Sequence, residues 1–250
     1  MVGLTSITFR SMTVDEIICL AVEAGLQGIE WGSDVHVPPG DIALAKETAR
    51  KTKEAGLTVT SYGSYLRVTG QPVGEKEIED LIRSAKALGA PVIRIWAGPA
   101  SPQDVLPEER IRIEDILKHL VRKAAGEHIL IATEYHRRTL TENAGSALDL
   151  LARVPGLYTY WQPNPDISHA ENLKELTAVL PYVLNVHVFQ WTAPGNERHP
   201  LIEGEKVWKE YIGTVLQEKT RPHHFLLEFA AGDSPRQCVE DAAVLKEWIR

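Results

Sequence analysis

The chain has 250 residues, of which 44% are hydrophobic and 24% charged, a globular composition that supports a sizeable core and excludes disorder or fibrous structure. With 27 Lys+Arg against 34 Asp+Glu, the formal net charge of -7 leaves no overall positive field for a nucleic-acid backbone. The two cysteines, Cys19 and Cys238, lie near opposite ends and outside any Cys-x-x-Cys pair, which excludes a disulfide framework and a zinc-thiolate site. No apolar run approaches the roughly 20 residues of a membrane span. Because Met1-Val2-Gly3-Leu4-Thr5 lacks the basic stretch and apolar core of a signal peptide, a cytoplasmic protein is expected.

Along the chain one pattern repeats: a short β-branched or apolar run, a polar loop, then a longer amphipathic stretch. The predicted strands are Gly3–Phe9, Gly28–Trp31, Thr58–Tyr62, Val92–Trp96, Ile129–Glu134, Tyr158–Gln162, Val183–Phe189 and Phe225–Phe229. Helices are predicted to begin near Thr13, Asp41, Glu75, Pro107, Thr141, Ser168, Gly204 and Ser234, with capping pairs at Thr13…Glu16 and Ser234…Gln237. Glu23-Ala24-Gly25-Leu26, Glu54-Ala55-Gly56-Leu57 and Ala87-Leu88-Gly89-Ala90 each place glycine where a helix end needs a left-handed residue. These glycines are read as structural, and no Gly-rich phosphate loop is present. Eight βα units in about 250 residues predict a closed (β/α)8 TIM barrel, because a doubly wound sheet more often has fewer strands and a dinucleotide fingerprint. Pro38-Pro39 and the segment 99–107 fit loops, and no linker divides residues 1–250, so a single domain is expected.

In such a barrel the C-terminal ends of the strands build the active site. Four consecutive predicted strands deliver polar groups there: Glu134 on the fifth, Gln162 on the sixth, His187 on the seventh and Glu228 on the eighth. Glu134 and Glu228 sit in strongly apolar runs, where a carboxylate needs a compensating charge. One divalent metal ion between them, with His187 as nitrogen ligand and Gln162 as carbonyl-oxygen ligand, supplies it. Manganese is the first choice, with magnesium, cobalt and zinc also suited to this donor set. The competing compensation is a guanidinium, and Arg94 on the fourth strand is within reach. His187 could equally be a hydrogen-bonded core histidine, and Gln162, a poor metal ligand, could bond substrate instead.

The succession Glu134, Gln162, His187 and Glu228, with Glu134-x-His136 followed by Arg137-Arg138-Thr139-Leu140-Thr141, resembles the xylose isomerase-like TIM-barrel superfamily, which includes the sugar phosphate isomerase/epimerase proteins. Arg198-His199-Pro200-Leu201-Ile202-Glu203-Gly204-Glu205, leading into Trp208, is similar to that family's loop after the seventh strand. The resemblance covers essentially the whole chain. It implies a metal held by Glu134, Gln162, His187 and Glu228, catalysis by Glu134 and Glu228, and contacts from His136 and Arg198 to substrate oxygens. The family's usual second ligand is Asp, replaced here by Gln162, and Asp166 and His169 follow in the same loop as substitutes. With Gln162 bound, the site has one negative charge fewer, which makes the ion a stronger Lewis acid and its retention weaker.

Around the mouth, Trp31, Asp34 and His36, then Tyr62, Ser64, Tyr65 and Arg67, then Arg94 and Trp96 set aromatic rings beside hydrogen-bonding groups. That mixture suits a small-molecule carbohydrate, with Trp31, His36, Tyr62, Arg94 and Trp96 as expected substrate contacts, although Trp31 and Trp96 equally suit packing. No Lys/Arg cluster marks a phosphate site at the ends of the seventh and eighth strands, which points to an unphosphorylated substrate. The expected activity is that of a divalent-metal-dependent isomerase or epimerase acting next to the carbonyl of a keto sugar or polyol derivative through an enediolate. If a β-hydroxyl or glycosidic oxygen leaves instead, the enzyme is a lyase or dehydratase. A nuclease on the same barrel needs more metal ligands on the third and fourth strands, where the chain offers Tyr62 and Arg94-x-Trp96. A non-catalytic sugar-binding barrel would hold no divalent ion. No nucleic-acid or membrane partner is expected, and the sequence is compatible with a homo-oligomer.

Overall fold

A computed structural model of the chain describes residues 1–193 and 196–250. Its strands are β1 Val2–Thr5, β2 Gly28–Gly32, β3 Thr58–Val68, β4 Val92–Ala97, β5 Leu130–Thr133, β6 Leu157–Trp161, β7 Val183–Val188, β8 Gln190–Thr192, β9 Glu197–His199 and β10 His224–Leu227. The helices are α1 Val14–Glu23, α2 Ile42–Glu54, α3 Glu75–Leu88, α4 Pro107–Ala125, α5 Ala144–Arg153, α6 His169–Val179, α7 Glu205–Val215 and α8 Pro235–Ile249. Eight parallel strands close in the order β1, β10, β7, β6, β5, β4, β3, β2, so the fold is the expected TIM barrel, while β8 and β9 form a separate antiparallel hairpin. Among the described residues no helix is long and apolar enough to cross a membrane.

The local signals act as their chemistry dictates. Thr13 and Glu16 form a reciprocal capping box at the start of α1, and Ser234 accepts from the Gln237 amide at the start of α8, each satisfying a helix N–H that would otherwise lack a partner. Gly25, Gly56 and Gly89 have φ of +60°, +77° and +73°, the left-handed geometry that side-chain-bearing residues disfavour.

Two strands differ from the sequence expectation. The first ends at Thr5, and Ser6–Phe9 winds into a 3-10 turn. There Ser6 Oγ accepts from the Gly32 N–H at 2.8 Å and Thr8 Oγ1 from the Phe229 N–H at 3.1 Å, tying the turn to neighbouring strand ends. Residues 2–9 are all buried, so an apolar run there cannot distinguish strand from turn. β3 continues past Tyr62 to Val68, with its register to β4 interrupted between Gly63 and Arg67.

The large core fills the space between barrel and helices, while Val92, Ala132, Tyr160 and Leu226 cluster separately inside the barrel. Side chains alternate along a strand, so the residue two positions further returns to the same face. Arg94, Glu134, Gln162 and Glu228 therefore stack above that apolar floor, toward the C-terminal mouth. At Gly89 an added Cβ would meet nothing within 4 Å, so Gly89→Ala isolates the backbone cost: a loss of about 1 kcal/mol is expected in urea unfolding, and no loss would show that φ at this position is unconstrained.

Candidate active site

His187, within β7, is the centre of the site. Its Nδ1 lies 3.0 Å from Gln162 Oε1, 3.4 Å from Glu228 Oε2 and 3.9 Å from Glu134 Oε1. Gln162, Glu228 and Glu134 each stand just beyond the end of β6, β10 and β5, and all four side chains are buried. One donor atom from each of Glu134, His187 and Glu228 lies within 4.8 Å of the others. Donors around an ion with bonds of about 2.1 Å are themselves about 3.0–3.4 Å apart. Gln162 and Glu228 therefore already stand at ligand spacing from Nδ1, and Glu134 slightly outside it.

Behind this group is a residue the sequence reading passes over. Glu30, on β2, accepts from Arg94 Nε at 3.0 Å, Ser61 Oγ at 2.7 Å and Tyr160 OH at 2.9 Å, while Asn185 Nδ2 donates to the Tyr160 oxygen at 2.7 Å. Arg94 Nη1 also donates to Glu134 Oε2. The two compensations considered for Glu134 thus coexist, one oxygen on the guanidinium and the other facing His187. Among the described residues His187 Nε2 has no hydrogen-bond partner, and it lies 3.7 Å from Glu30 Oε1. Metal-binding histidines commonly aim their second ring nitrogen at such a carboxylate. The signal for Glu30 is the same one that selects Glu134 and Glu228, a carboxylate in an apolar strand, here Gly28-Ile29-Glu30-Trp31.

Three buried carboxyls face one guanidinium. With all three ionised and His187 neutral, the group lacks two positive charges, the charge of one divalent ion. Like unit charges about 4 Å apart cost roughly 4 kcal/mol at an effective dielectric near 20, so the ion-free residues adjust their protonation. Burial, reinforced by Glu134, pushes the Glu228 carboxyl up to about 7. Burial opposes ionisation of Glu134 and Glu30 as well, but Arg94 holds both below the usual carboxylate range. Burial works against a charged His187, yet Glu228, Glu30 and Glu134 together raise its pKa. The donor types, their spacing and the charge deficit all fit a divalent cation.

The structure sorts the other predicted contacts into two groups. At the mouth, Trp96 stacks on His136 with ring centroids 4.6 Å apart. Arg198, on β9, pairs with Asp233 and packs 4.7 Å from the centre of the Phe229 ring. Arg94 is in the interior, bound as described. Trp31, Tyr62 and His36 are committed elsewhere. Trp31 Nε1 donates to Thr52 Oγ1 of α2 at 3.1 Å, and Tyr62 OH donates to the Val37 carbonyl at 2.6 Å. Because Glu30 and Ser61 take the interior positions of β2 and β3, alternation turns Trp31 and Tyr62 outward. Both ring nitrogens of His36 are occupied, by Ser6 Oγ and the Met12 carbonyl, each at 3.0 Å. Asp34 pairs with Arg10, Asp166 with Arg137 and His169 with Glu210, so neither Asp166 nor His169 replaces Gln162. Among the described residues no second group of His, Cys, Asp and Glu stands at ligand spacing, as a nuclease site of several metals would require.

The family model for the xylose isomerase-like TIM barrel matches residues 18–248. The chain belongs to the xylose isomerase-like TIM barrel family. Within the family's range of names, a 3-dehydroshikimate dehydratase from Bacillus anthracis is 25% identical over 254 residues, covering 89% of this chain and 88% of the relative. The crystal structure of the probable 3-DHS dehydratase involved in petrobactin synthesis in that organism has a TM-score of 0.84 at 21% identity, over 98% of each chain. A D-allulose 3-epimerase from Methylomonas sp. has a TM-score of 0.73 at 16% identity, over 99% of this chain and 96% of the other. A xylose isomerase-like TIM barrel protein from Mycobacterium smegmatis, solved in complex with magnesium, has a TM-score of 0.70 at 15% identity, over 100% of this chain and 97% of the other.

Two outcomes follow for a cation held by this cluster. Gln162→Asp adds a negative charge beside His187, and manganese titrated by calorimetry should bind on the order of tenfold more tightly; unchanged or weaker binding would mean that Gln162 is not a ligand. Glu228 and His187 both hold a proton more firmly than usual in the ion-free protein, and binding has to displace it. Manganese affinity should therefore fall by about tenfold per pH unit for each displaced proton as the pH drops below about 7, and a flat profile on that side would contradict the assignment.

Proposed function

We propose that this protein is an enzyme that removes the proton next to the carbonyl of a polyhydroxylated, carbohydrate-like substrate, with manganese as its divalent cofactor, and that the reaction ends in loss of water. The observation that carries this reading is the geometry of the cluster: Glu134, His187 and Glu228 bring donor atoms within 4.8 Å of one another, with Glu134 tied to Arg94 and Glu228 facing His187 at 3.4 Å. A carboxylate fixed on a buried guanidinium suits a constant charge and one that is not suits proton transfer, so the two divide electrostatic and proton-transfer roles between them.

A divalent ion held by Glu134, His187 and Glu228, with Gln162 adjoining, would supply Lewis-acid charge to a substrate carbonyl. Glu228 takes the α-proton, and Glu134 remains charged against Arg94. His136, whose Nδ1 donates to the Arg137 carbonyl, accepts from a substrate hydroxyl through Nε2, and the proton taken by Glu228 leaves with the β-hydroxyl as water. One C–H and one C–O bond break, a C=C bond forms and water leaves, so no oxidant or reductant is needed. Trp96 and Arg198 flank the substrate at the rim. The small molecule is the only partner the reading requires.

Elimination is favoured by the 25% identity that spans 89% of the chain with a dehydratase. Epimerisation or isomerisation is the second reading, favoured by two carboxyls on one cluster, either of which can return the proton. With manganese-loaded protein and 3-dehydroshikimate deuterated next to the carbonyl, deuterium should pass to solvent as water is lost and the ring tautomerises to an aromatic product with its own ultraviolet band. Glu228→Gln should lose on the order of a hundredfold or more in rate, measured after its metal content has been verified. Deuterium loss without an aromatic product would select the second reading. Turnover that retains the deuterium would contradict both, replacing them with a hydride shift or direct hydrolysis.

A further inference from the structure

The chain beyond β5 carries Glu134 and His136 on one face, with Tyr135 between them turned away and donating to Glu175 Oε2 at 2.6 Å. It then folds back through Arg137-Arg138-Thr139-Leu140-Thr141, a run to which the cluster and the substrate assign nothing so far beyond the Arg137 ion pair. Thr139 and Thr141 are both fully buried. Thr141 Oγ1 donates to the Glu134 carbonyl and Thr139 Oγ1 to the His136 carbonyl, each at 2.6 Å. Thr139 Oγ1 in turn accepts from the Thr141 N–H at 3.1 Å, which sets the two hydroxyls side by side. Leu140, buried between them, hangs on the end of β4, its N–H donating to the Ala97 carbonyl at 2.7 Å. An added Cβ at Gly98 would meet the Leu140 side chain at 2.8 Å, so the returning chain has little room to shift.

The return is not a relaxed turn. Arg138 has φ of +58°, a left-handed geometry that a side-chain-bearing residue keeps only where its surroundings impose it, and such residues gather at functional sites. Its N–H donates to Glu142 Oε2 at 2.9 Å, an oxygen that also accepts from Ser101 Oγ at 2.6 Å. What this geometry secures is the delivery of two short hydroxyl donors to two particular carbonyls. The functional ends of the same two residues are held separately: Glu134 by Arg94, and the His136 ring by the Arg137 carbonyl at 2.7 Å and the Trp96 stack. Each side chain is thus fixed at its backbone and at its working end, the double support that keeps a site in one geometry.

We propose that Thr139 and Thr141 are positioning residues with separate tasks: Thr141 sets the Glu134 carboxylate for the cation, and Thr139 sets His136 for the substrate hydroxyl. The task of Thr139 rests on the function proposed above, whereas that of Thr141 rests on the cation cluster alone.

The test replaces each hydroxyl by a methyl group of similar shape, Thr139→Val and Thr141→Val, with Thr139→Ser and Thr141→Ser to restore the donor. In calorimetric titration with manganese, Thr141→Val should bind about tenfold more weakly than wild type, the effect of one lost buried hydrogen bond, and Thr139→Val with wild-type affinity. With every protein saturated in manganese, Thr139→Val should raise KM for 3-dehydroshikimate about tenfold, while Thr141→Val keeps the wild-type value. In ion-free protein carrying 15N-labelled histidine, Thr139→Val should move the ring signals of His136 and leave those of His187 in place. Each serine variant should return most of what its valine counterpart loses. Equal loss of manganese affinity in both valine variants, no loss in Thr141→Val, unmoved His136 signals in Thr139→Val, or serine no better than valine would each overturn the proposal. Failure of the parent reading looks different: wild type would leave 3-dehydroshikimate unchanged, while manganese affinity and histidine signals would still separate the two threonines.

Discussion

Arg94 is the interaction on which the site depends. A guanidinium sealed inside the barrel, it joins β2 through Glu30 to the end of β5 through Glu134, and Ser61, Tyr160 and Asn185 complete the surrounding hydrogen bonds. Breaking such a buried pair by removing one partner typically costs about 3–5 kcal/mol, so Arg94 cannot be exchanged for an apolar residue without exposing Glu30 and Glu134 to each other. One positive charge is nevertheless too few. It satisfies Glu30 and one oxygen of Glu134, and leaves the second Glu134 oxygen, Glu228 and His187 Nδ1 facing a common point.

The architecture explains why these groups meet. Two-residue periodicity places Arg94, Glu134, Gln162 and Glu228 one layer above Val92, Ala132, Tyr160 and Leu226, so the apolar floor that closes the barrel also keeps water from beneath the polar layer. Low local polarity strengthens each charge interaction, and it is the same burial that lifts Glu228 to about 7. Enclosure and the demand for positive charge have one origin here: a carboxyl buried above an apolar floor is costly to ionise without a cation. Gln162 in place of a carboxylate keeps the donor set from carrying a further negative charge into that layer.

Much of this is legible in the sequence because strand ends are. Glu134, His187 and Glu228 stand out as polar groups at the close of apolar runs, and the eight βα units place those ends at one mouth. Glu30 carries the same signal but sits one residue before Trp31, and the aromatic residue attracts the functional reading. Parity resolves the choice: with Glu30 inward, Trp31 must face α2, and with Ser61 inward, Tyr62 must face the helical layer. The Ser6–Phe9 turn and the β8–β9 hairpin are hidden, since the first is as apolar as a strand and the second lies in a loop without alternating apolar residues.

The claim that this layer is a cation site is tested most directly by anomalous diffraction from a crystal soaked in manganese at a pH above 7. One peak is predicted, roughly 2.0–2.4 Å from His187 Nδ1 and from an oxygen of each of Glu134 and Glu228, with Arg94 still on Glu30. An empty cluster, with Glu228 protonated against His187 and any manganese bound elsewhere, would contradict the account.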